Sequence, residues 1–531
     1  MKLRIPVFVA ALLAACQPKV TVGESYSLQL LPKLPLDQVG DGPLQGSDLT
    51  LRVTQGGNTK SHALGPADSA QWSAVDIGAL DDATIGLLWT DAGANDDPLN
   101  YDAVRAWGLS PAVTIDSGTT ELPVMVGAFG LPGQFGSLDG TLIPYGGAAV
   151  RLDNGDVLIF GGTDDVVRDS DTDGTHKASS AVLRLRMSDD TFTFERVGDL
   201  PKVAADSNIE RVGATATLVA VDGKTQVLVV GGRAIWANPA ILDVGAFLWD
   251  PETDTVTWTG TTQSTGRFLG GAEPFPDGRI AVFGGFDKQT NASFSWQIFD
   301  PATQTFDRTS EHTSSIPVGA VGAAWVNLGD SGILICGGAS SVVGGPLIPT
   351  ATCAILGPNG ATLEQSKIGG ADQNTRMWAA MTQMIDGKIM LTGGSEGPVG
   401  EGAAGSAPAV SDAYLLDLTS PSPWTPLRAM NHPRAMHRLI TRPDGRVLAL
   451  GGLTEGTNIP LIDQTPTPVS CGELFDPVAN TWTDLAQCDA VGAGGLPIVA
   501  TAPGYGAFVL SGFTPTGGGQ DWGVVPLGPT P

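Results

Sequence analysis

Beyond residue 135 the apolar positions fall into short runs that each close on a pair of glycines. They read VLIFGG at Gly161-Gly162, VLVVGG at Gly231-Gly232, IAVFGG at Gly284-Gly285, ILICGG at Gly337-Gly338, IMLTGG at Gly393-Gly394 and VLALGG at Gly451-Gly452. A degraded copy, FVLSGF, surrounds Ser511-Gly512. Runs of this length bounded by turn residues are strands. The polar positions between them repeat as well. A tight turn precedes the glycine strand at Asn154-Gly155, Asp222-Gly223, Asp277-Gly278, Asp386-Gly387 and Asp444-Gly445. These dipeptides suit a two-residue hairpin, whose central residues both take positive φ. A third strand ends in Asp-Pro (FLWDPETD, QIFDPATQ, ELFDPVAN), where proline presets a turn. A fourth offers an aromatic: Phe194, Trp258, Phe306, Trp424 or Trp482.

The order strand, DG, strand-GG, loop, strand-DP, strand-aromatic, at a period of about 53 to 70 residues, resembles the Kelch repeat over residues 136–531. The resemblance implies an all-β protein, a Kelch-like β-propeller of four-stranded blades that shield one another's edges. Seven copies imply seven blades, and six if the last copy only completes a neighbour. Residues 24–130 lack the repeat. Their short alternating stretches (Leu49 to Val53, Ile85 to Trp89, Leu122 to Val126) between turn residues predict a small β-sandwich-like domain.

The chain opens with Lys2 and Arg4 ahead of an apolar core, Val7 to Leu13, too short to span a bilayer. The segment Leu13-Ala14-Ala15-Cys16 that follows resembles a bacterial lipobox. That likeness implies a signal peptide over 1–15, lipidation of Cys16, a tether over 16–23 and anchoring in the cell envelope by several acyl chains. Gln17 in place of an aspartate favours the outer membrane. Export fits the other cysteines. Cys336 ends one predicted strand and Cys353 lies in the next, while Cys471 and Cys488 flank the hairpin that turns at Asp476-Pro477. Adjacent antiparallel strands bring such pairs within bonding range, so two hairpin disulfides are expected.

Composition narrows the partners. With 29 basic and 55 acidic residues the net charge is −26, which repels phosphate backbones and argues against nucleic acid. Meander parity puts the DG and DP turns on one face of the disc and the longer loops after each GG on the other. Long loops on a rigid scaffold are where binding resides. Arg267, Arg376 and Arg434 each stand 17 residues before their Gly pair, with Arg211 near the same place. Converging at a channel mouth, they would form an anion site. The competing expectation is that each pairs with a neighbouring acid or carbonyl. Asp169, Asp171 and Asp173 alternate ahead of Gly174 like the start of a Ca²⁺ loop, although Ser180 stands where a bidentate glutamate would close it. A merely solvated acidic loop is the reading the sequence favours over Ca²⁺ there.

Catalytic motifs do not hold. Gly329-Asp330-Ser331-Gly332 coincides with a blade turn, and Gly393-Gly394-Ser395-Glu396-Gly397 lacks the helix a nucleophile elbow requires. Copper radical oxidases share the Kelch fold but need a Tyr-His pair that this chain lacks. His432 and His437 have no third zinc ligand nearby in sequence. The expectation is a monomeric, membrane-anchored Kelch lipoprotein that binds a protein, glycan or small anion through its loop-rich face, with no catalytic residues assigned. The alternatives are a sugar-acid mutarotase using an arginine with an acid such as Glu273, and a structural envelope component.

Overall fold

The computed structural model describes seven strands between residues 20 and 128 and most of the chain from residue 146 to 525. Outside the described residues lie 1–19, the connections between the N-terminal strands, 129–145, the loops at 163–178, 202–210, 234–244, 287–293, 458–466 and 485–497, shorter gaps, and the last six residues. Cys16, Asp169, Asp171, Asp173, Cys471 and Cys488 all fall outside.

The N-terminal strands join one hydrogen-bonded sheet in the order Val20–Val22, Ser27–Lys33, Thr119–Ala128, Val104–Ile115, Leu80–Asp91, Ser47–Gln55, Asn58–Pro66. Ser27–Lys33 runs parallel to Thr119–Ala128, and the other pairs are antiparallel. The sequence pattern anticipated the two sheets of a sandwich. Short alternating strands fix only that one face is apolar, and a single sheet satisfies that equally.

From residue 146 the described strands form a β-propeller of successive antiparallel meanders. The first is Ala148–Arg151, Val157–Phe160, Ala181–Ser188, Thr191–Asp199, and the second is Val212–Val221, Lys224–Arg233, Gly245–Asp250, Thr255–Thr261. Four more meanders follow, opening with Gly271–Pro274, Val321–Asn327, Ala380–Gln383 and Arg438–Thr441; the first two of these each carry a fifth short strand, His312–Thr313 and Ile348–Pro349, beside a four-stranded path. A three-stranded sheet starts with Ile498–Ala502, which lies against Ala148–Arg151 of the first blade. The degraded copy FVLSGF supplies its middle strand, Gly506–Leu510.

Each glycine strand is apolar throughout because it is buried on both faces. In the second blade Val227 and Val229 pack with Leu158, Phe160 and Trp249, while Leu228 and Val230 pack with Ile280, Val282 and Phe299 of the third. Alternate side chains therefore serve opposite neighbours. The fourth-strand aromatics complete these layers: Trp258 sits 5.5 Å from Phe299 and Trp482 5.0 Å from Phe475. Cys336 and Cys353 are direct cross-strand partners and form a disulfide.

The turns before the glycine strands divide into two kinds. Asp222-Gly223 is the expected two-residue hairpin, with φ of 50° and 76° and Val221 paired to Lys224. In four other blades Leu152, Phe275, Met384 and Arg442 donate their N–H to the carbonyls of Asp156, Arg279, Lys388 and Arg446 across three-residue loops. There Gly278, Gly387 and Gly445 turn left-handed, at φ of 83° to 84°. A type I turn followed by a left-handed glycine closes a hairpin as well as a two-residue turn does, and an Asp-Gly dipeptide fits either.

The glycine pairs join the blades. The N–H of the second glycine donates to a carbonyl of the following blade: Gly162 to Arg211 O at 2.6 Å, Gly232 to Arg267 O at 2.7 Å, Gly285 to Ala320 O at 2.7 Å. Gly338 to Arg376 O and Gly394 to Arg434 O repeat the bond at 2.7 Å. A Cβ on the first glycine would meet that same carbonyl, at 2.2 Å for Gly161 and 2.0 Å for Gly231. Gly231 and the turn residue Gly223 share a positive φ (72° and 76°), but a Cβ on Gly223 meets nothing within 4 Å. Gly223→Ala is therefore expected to lower stability by about 1 kcal/mol, and Gly231→Ala by more than about 3 kcal/mol because strain and the blocked carbonyl add. Urea unfolding of both variants measures this, and equal losses would mean that the close approach between blades is unimportant.

Candidate functional site

The first strand of each blade enters through one left-handed residue, two positions past the carbonyl that receives the glycine bond. These are Gly213, Leu269, Gly322, Trp378 and Met436, at φ of 60° to 66°, with Gly146 at 63° in the first blade. The conformation turns the N–H sideways onto the preceding blade. Gly213 N–H donates to Gly146 O at 2.8 Å, Leu269 N–H to Gly213 O at 2.8 Å, Trp378 N–H to Gly322 O at 2.6 Å and Met436 N–H to Trp378 O at 2.9 Å. The blades thus share a collar of main-chain hydrogen bonds at the loop-rich end of the axis.

Inside the collar lies a cavity of about 360 Å³. Its wall is mostly glycine and alanine from the first strands, relieved by Trp325, Trp378, Met381, Met436 and Arg438. Small residues are required where first strands crowd together, and what remains is an open bore with few side-chain acceptors.

The four registered arginines do not line it. Arg211, Arg376 and Arg434 are 0% exposed and Arg267 3%, and their donors are directed into their own blades. Arg211 Nη1 donates to the carbonyls of Gly231 and Gly245 at 2.9 and 2.8 Å, and its guanidinium lies over the Phe247 ring. Arg267 donates to Gly284 O at 2.8 Å and to Ser295 Oγ at 3.2 Å. Arg376 is held by Glu396 and by Asp412 at 2.7 Å. Arg434 donates to Gly451 O at 2.8 Å and pairs with the fully buried Glu473 at 2.7 Å. The anion ring expected from their spacing is replaced by four separate buttresses. For Arg267 and Arg434 the 17-residue spacing is the reach from the arginine to the first glycine carbonyl of its own blade. A buried guanidinium requires such partners.

Two other ionisable groups lie close to the cavity. Glu273, in the first strand of the third blade, accepts hydrogen bonds from Trp325 Nε1–H at 3.1 Å and Asn327 Nδ2–H at 3.4 Å. Burial raises its carboxyl pKa, and those two bonds only partly offset the effect. His437 is buried with Nε2 2.7 Å from Thr392 Oγ1. Burial, then the charges of Arg434 and Arg438, hold its pKa well below the ordinary value, so the ring is neutral. His432 lies apart, 3.1 Å from Asp484. Among the described residues no three His, Cys, Asp or Glu side chains cluster to hold a metal, and no helix is long and apolar enough to cross a membrane. Gly329–Ser331 is a short 3₁₀ turn between strands. Arg438, which the spacing argument passed over, is the feature of this wall that sequence reading missed.

No family model matches the chain. Over 108 residues it is 31% identical to tRNA wybutosine-synthesizing protein 4 of Saccharomyces cerevisiae (strain ATCC 204508 / S288c), a match covering 18% of this chain. The chain spans 14% of the length of that curated relative. Among solved structures, one described as a novel fungal alcohol oxidase with catalytic diversity among the AA5 family, in complex with copper, aligns with a TM-score of 0.48 at 15% identity. That alignment covers 71% of this chain and 72% of the other. One described as the structure of YjhT aligns with a TM-score of 0.42 at 17% identity, over 65% of this chain and 99% of that one. Shared substrates do not follow from likenesses of this degree.

The buttress role has a measurable signature. Glu473→Gln and Arg434→Met should each cost about 3 to 5 kcal/mol by stranding a buried charge, and the double variant clearly less than their sum. Additive losses in urea unfolding would deny the pairing. Glu273 yields a pH dependence. Its folded pKa is raised above the unfolded value, so the stability it contributes is complete below about pH 4.3 and is lost as pH rises through the folded pKa. Glu273→Gln should flatten that part of the stability–pH curve, and an unchanged slope would mean that the carboxyl is solvated.

Proposed function

We propose that this chain is an exported, lipid-anchored propeller that binds a small ligand in the axial cavity at its loop-rich end, with no chemistry required of it. The observation that carries this reading is the cavity itself. Its volume is within the range of small-molecule sites, it lies where the first strands of the blades begin, and a main-chain collar holds its walls in place before any ligand arrives. Preformed walls reduce the ordering cost of binding. Lipidation at Cys16 would hold the propeller at an envelope membrane, the outer membrane being favoured by Gln17. A polyanion is a poor partner for a surface of net charge −26.

A second reading is favoured by Glu273. A carboxyl with a raised pKa, bonded to a tryptophan of the cavity wall, is the kind of group that general acid–base chemistry uses. A sugar acid held in the cavity could then exchange its anomers, which NMR exchange spectroscopy would detect as a rate lost in Glu273→Gln.

Two experiments test the main reading. Lipid label should enter the chain in a bacterial host, and Cys16→Ser should move it from the membrane to the soluble fraction; a soluble, unlabelled wild type would remove the anchor. In a thermal-shift panel of sugar acids and neutral sugars, at least one solute at 100 times its Kd should add about 2.7 kcal/mol of stability. Thr215→Trp, which fills the cavity, should abolish that shift. Failure of every solute would leave the structural envelope role.

A further inference from the structure

Aligned on the left-handed residue, the first strands of six blades can be compared position by position. Two residues further on stand Ala148, Thr215, Gly271, Ala324, Ala380 and Arg438. Five blades place a small residue at this level of the wall, and the sixth places the longest cation available. Nothing in the repeat calls for it, because the crowding that keeps the other five small applies here too.

Arg438 also differs from the arginines that buttress the blades in what holds it. Arg211, Arg267, Arg376 and Arg434 donate to carbonyls, to Ser295 or to acids, and Arg184, Arg279 and Arg446 pair with aspartates. Among the described residues the side chain of Arg438 has no hydrogen bond or ion pair, while its backbone pairs with Leu450 in the sheet. Its side chain is exposed, and the surface it faces is the cavity. Partial desolvation in the cavity wall lowers its pKa, and among the described residues no acid pairs with the guanidinium. The nearest titratable group of its own strand entrance, His437, is neutral, and Glu273 is bonded elsewhere.

We infer that the axial cavity takes a small anion, its carboxylate or phosphate oxygens held by the guanidinium of Arg438 and its apolar body lying among Trp325, Trp378 and Met381. This rests on the cavity being the binding site, as proposed above, and adds the class of ligand. Arginine suits the task because its fork of N–H donors matches two oxygens at once. The rest of the wall is mostly glycine and alanine, and among the described lining residues no carboxylate competes with the anion. A volume of about 360 Å³ admits a molecule of one ring and its substituents, and excludes a polymer.

The test is isothermal titration of the full chain with benzoate, phenyl phosphate and the neutral benzamide. Benzoate or phenyl phosphate should bind at least 10-fold more tightly than benzamide, the increment of a charge-assisted hydrogen bond. Which of the two is tighter identifies the head group. Arg438→Ala installs the residue that other blades carry at this level, so the propeller should keep its melting temperature while anion affinity falls 10-fold or more. Arg438→Lys should restore part of it. Equal binding of benzamide and benzoate, unchanged in Arg438→Ala, would overturn the anion inference and leave the cavity as the site. No binding of any of the three would overturn both.

Discussion

One main-chain hydrogen bond organises the propeller: the N–H of the second glycine in each pair, donated to a carbonyl at the start of the next blade. It demands a positive φ at both glycines and space for a carbonyl oxygen where a Cβ would stand, so only a glycine pair satisfies it. The bond to Ala320 in the fourth blade is as short as those to Arg267, Arg376 and Arg434. The backbone geometry is therefore the constant, and the arginine side chain is an addition to it. Where the arginine is present it joins two blades. Its carbonyl receives the preceding blade's glycine, and in three blades its guanidinium donates to the first glycine carbonyl of its own. Each such bond is worth about 1 kcal/mol net, but leaving a buried partner unmade would cost more.

Because the backbone joins the blades at the axis, the side chains there are released from structural work. The collar of left-handed residues continues the same economy, with N–H groups of one first strand bonded to carbonyls of the one before. The wall can then be built largely of alanine and glycine without loss of cohesion, since much of the apolar packing lies between the glycine strands further out, and Trp378 and Met436 tie the wall to a further cluster. A cavity results from this division. It is the space left when main-chain bonds, in place of packed side chains, close the centre.

Much of this was legible in the sequence. Continuous apolar runs ending in Gly-Gly identified the strands buried on both faces, the aromatic of the fourth strand was placed correctly at Trp258, Phe306 and Trp482, and Cys336 and Cys353 proved to be cross-strand partners. Other features were hidden for physical reasons. Spacing reveals register but not direction, so four arginines 17 to 20 residues before a glycine looked like a ring facing one centre. Their burial turned the donors the other way. Leu269, Trp378 and Met436 adopt a conformation that their side chains disfavour, and no local pattern announces it; the collar imposes it. Arg438 becomes conspicuous only once those left-handed residues fix the alignment of the first strands. Its neighbours in sequence, HPRAMH before it and Leu439 after it, draw attention to histidines instead.

The opposition between a surface of net charge −26 and a lone guanidinium in the axial wall is resolved by distance. At physiological ionic strength the field of exposed carboxylates falls away over about 8 Å, so it governs what approaches the disc and has little hold on a group inside the cavity. Within the cavity the low dielectric strengthens any contact that is made, and the described lining residues include no carboxylate. The two regions therefore select on different properties. The surface disfavours any partner that must lie along it with many negative charges, while the cavity favours one negative group small enough to enter. A polyanion fails both conditions and a large neutral molecule fails the second. Selection of this kind needs no new loop and no metal. A single substitution at one level of one repeat, made where the other blades keep a small residue, is sufficient to create it on a wall that the main chain already holds in place.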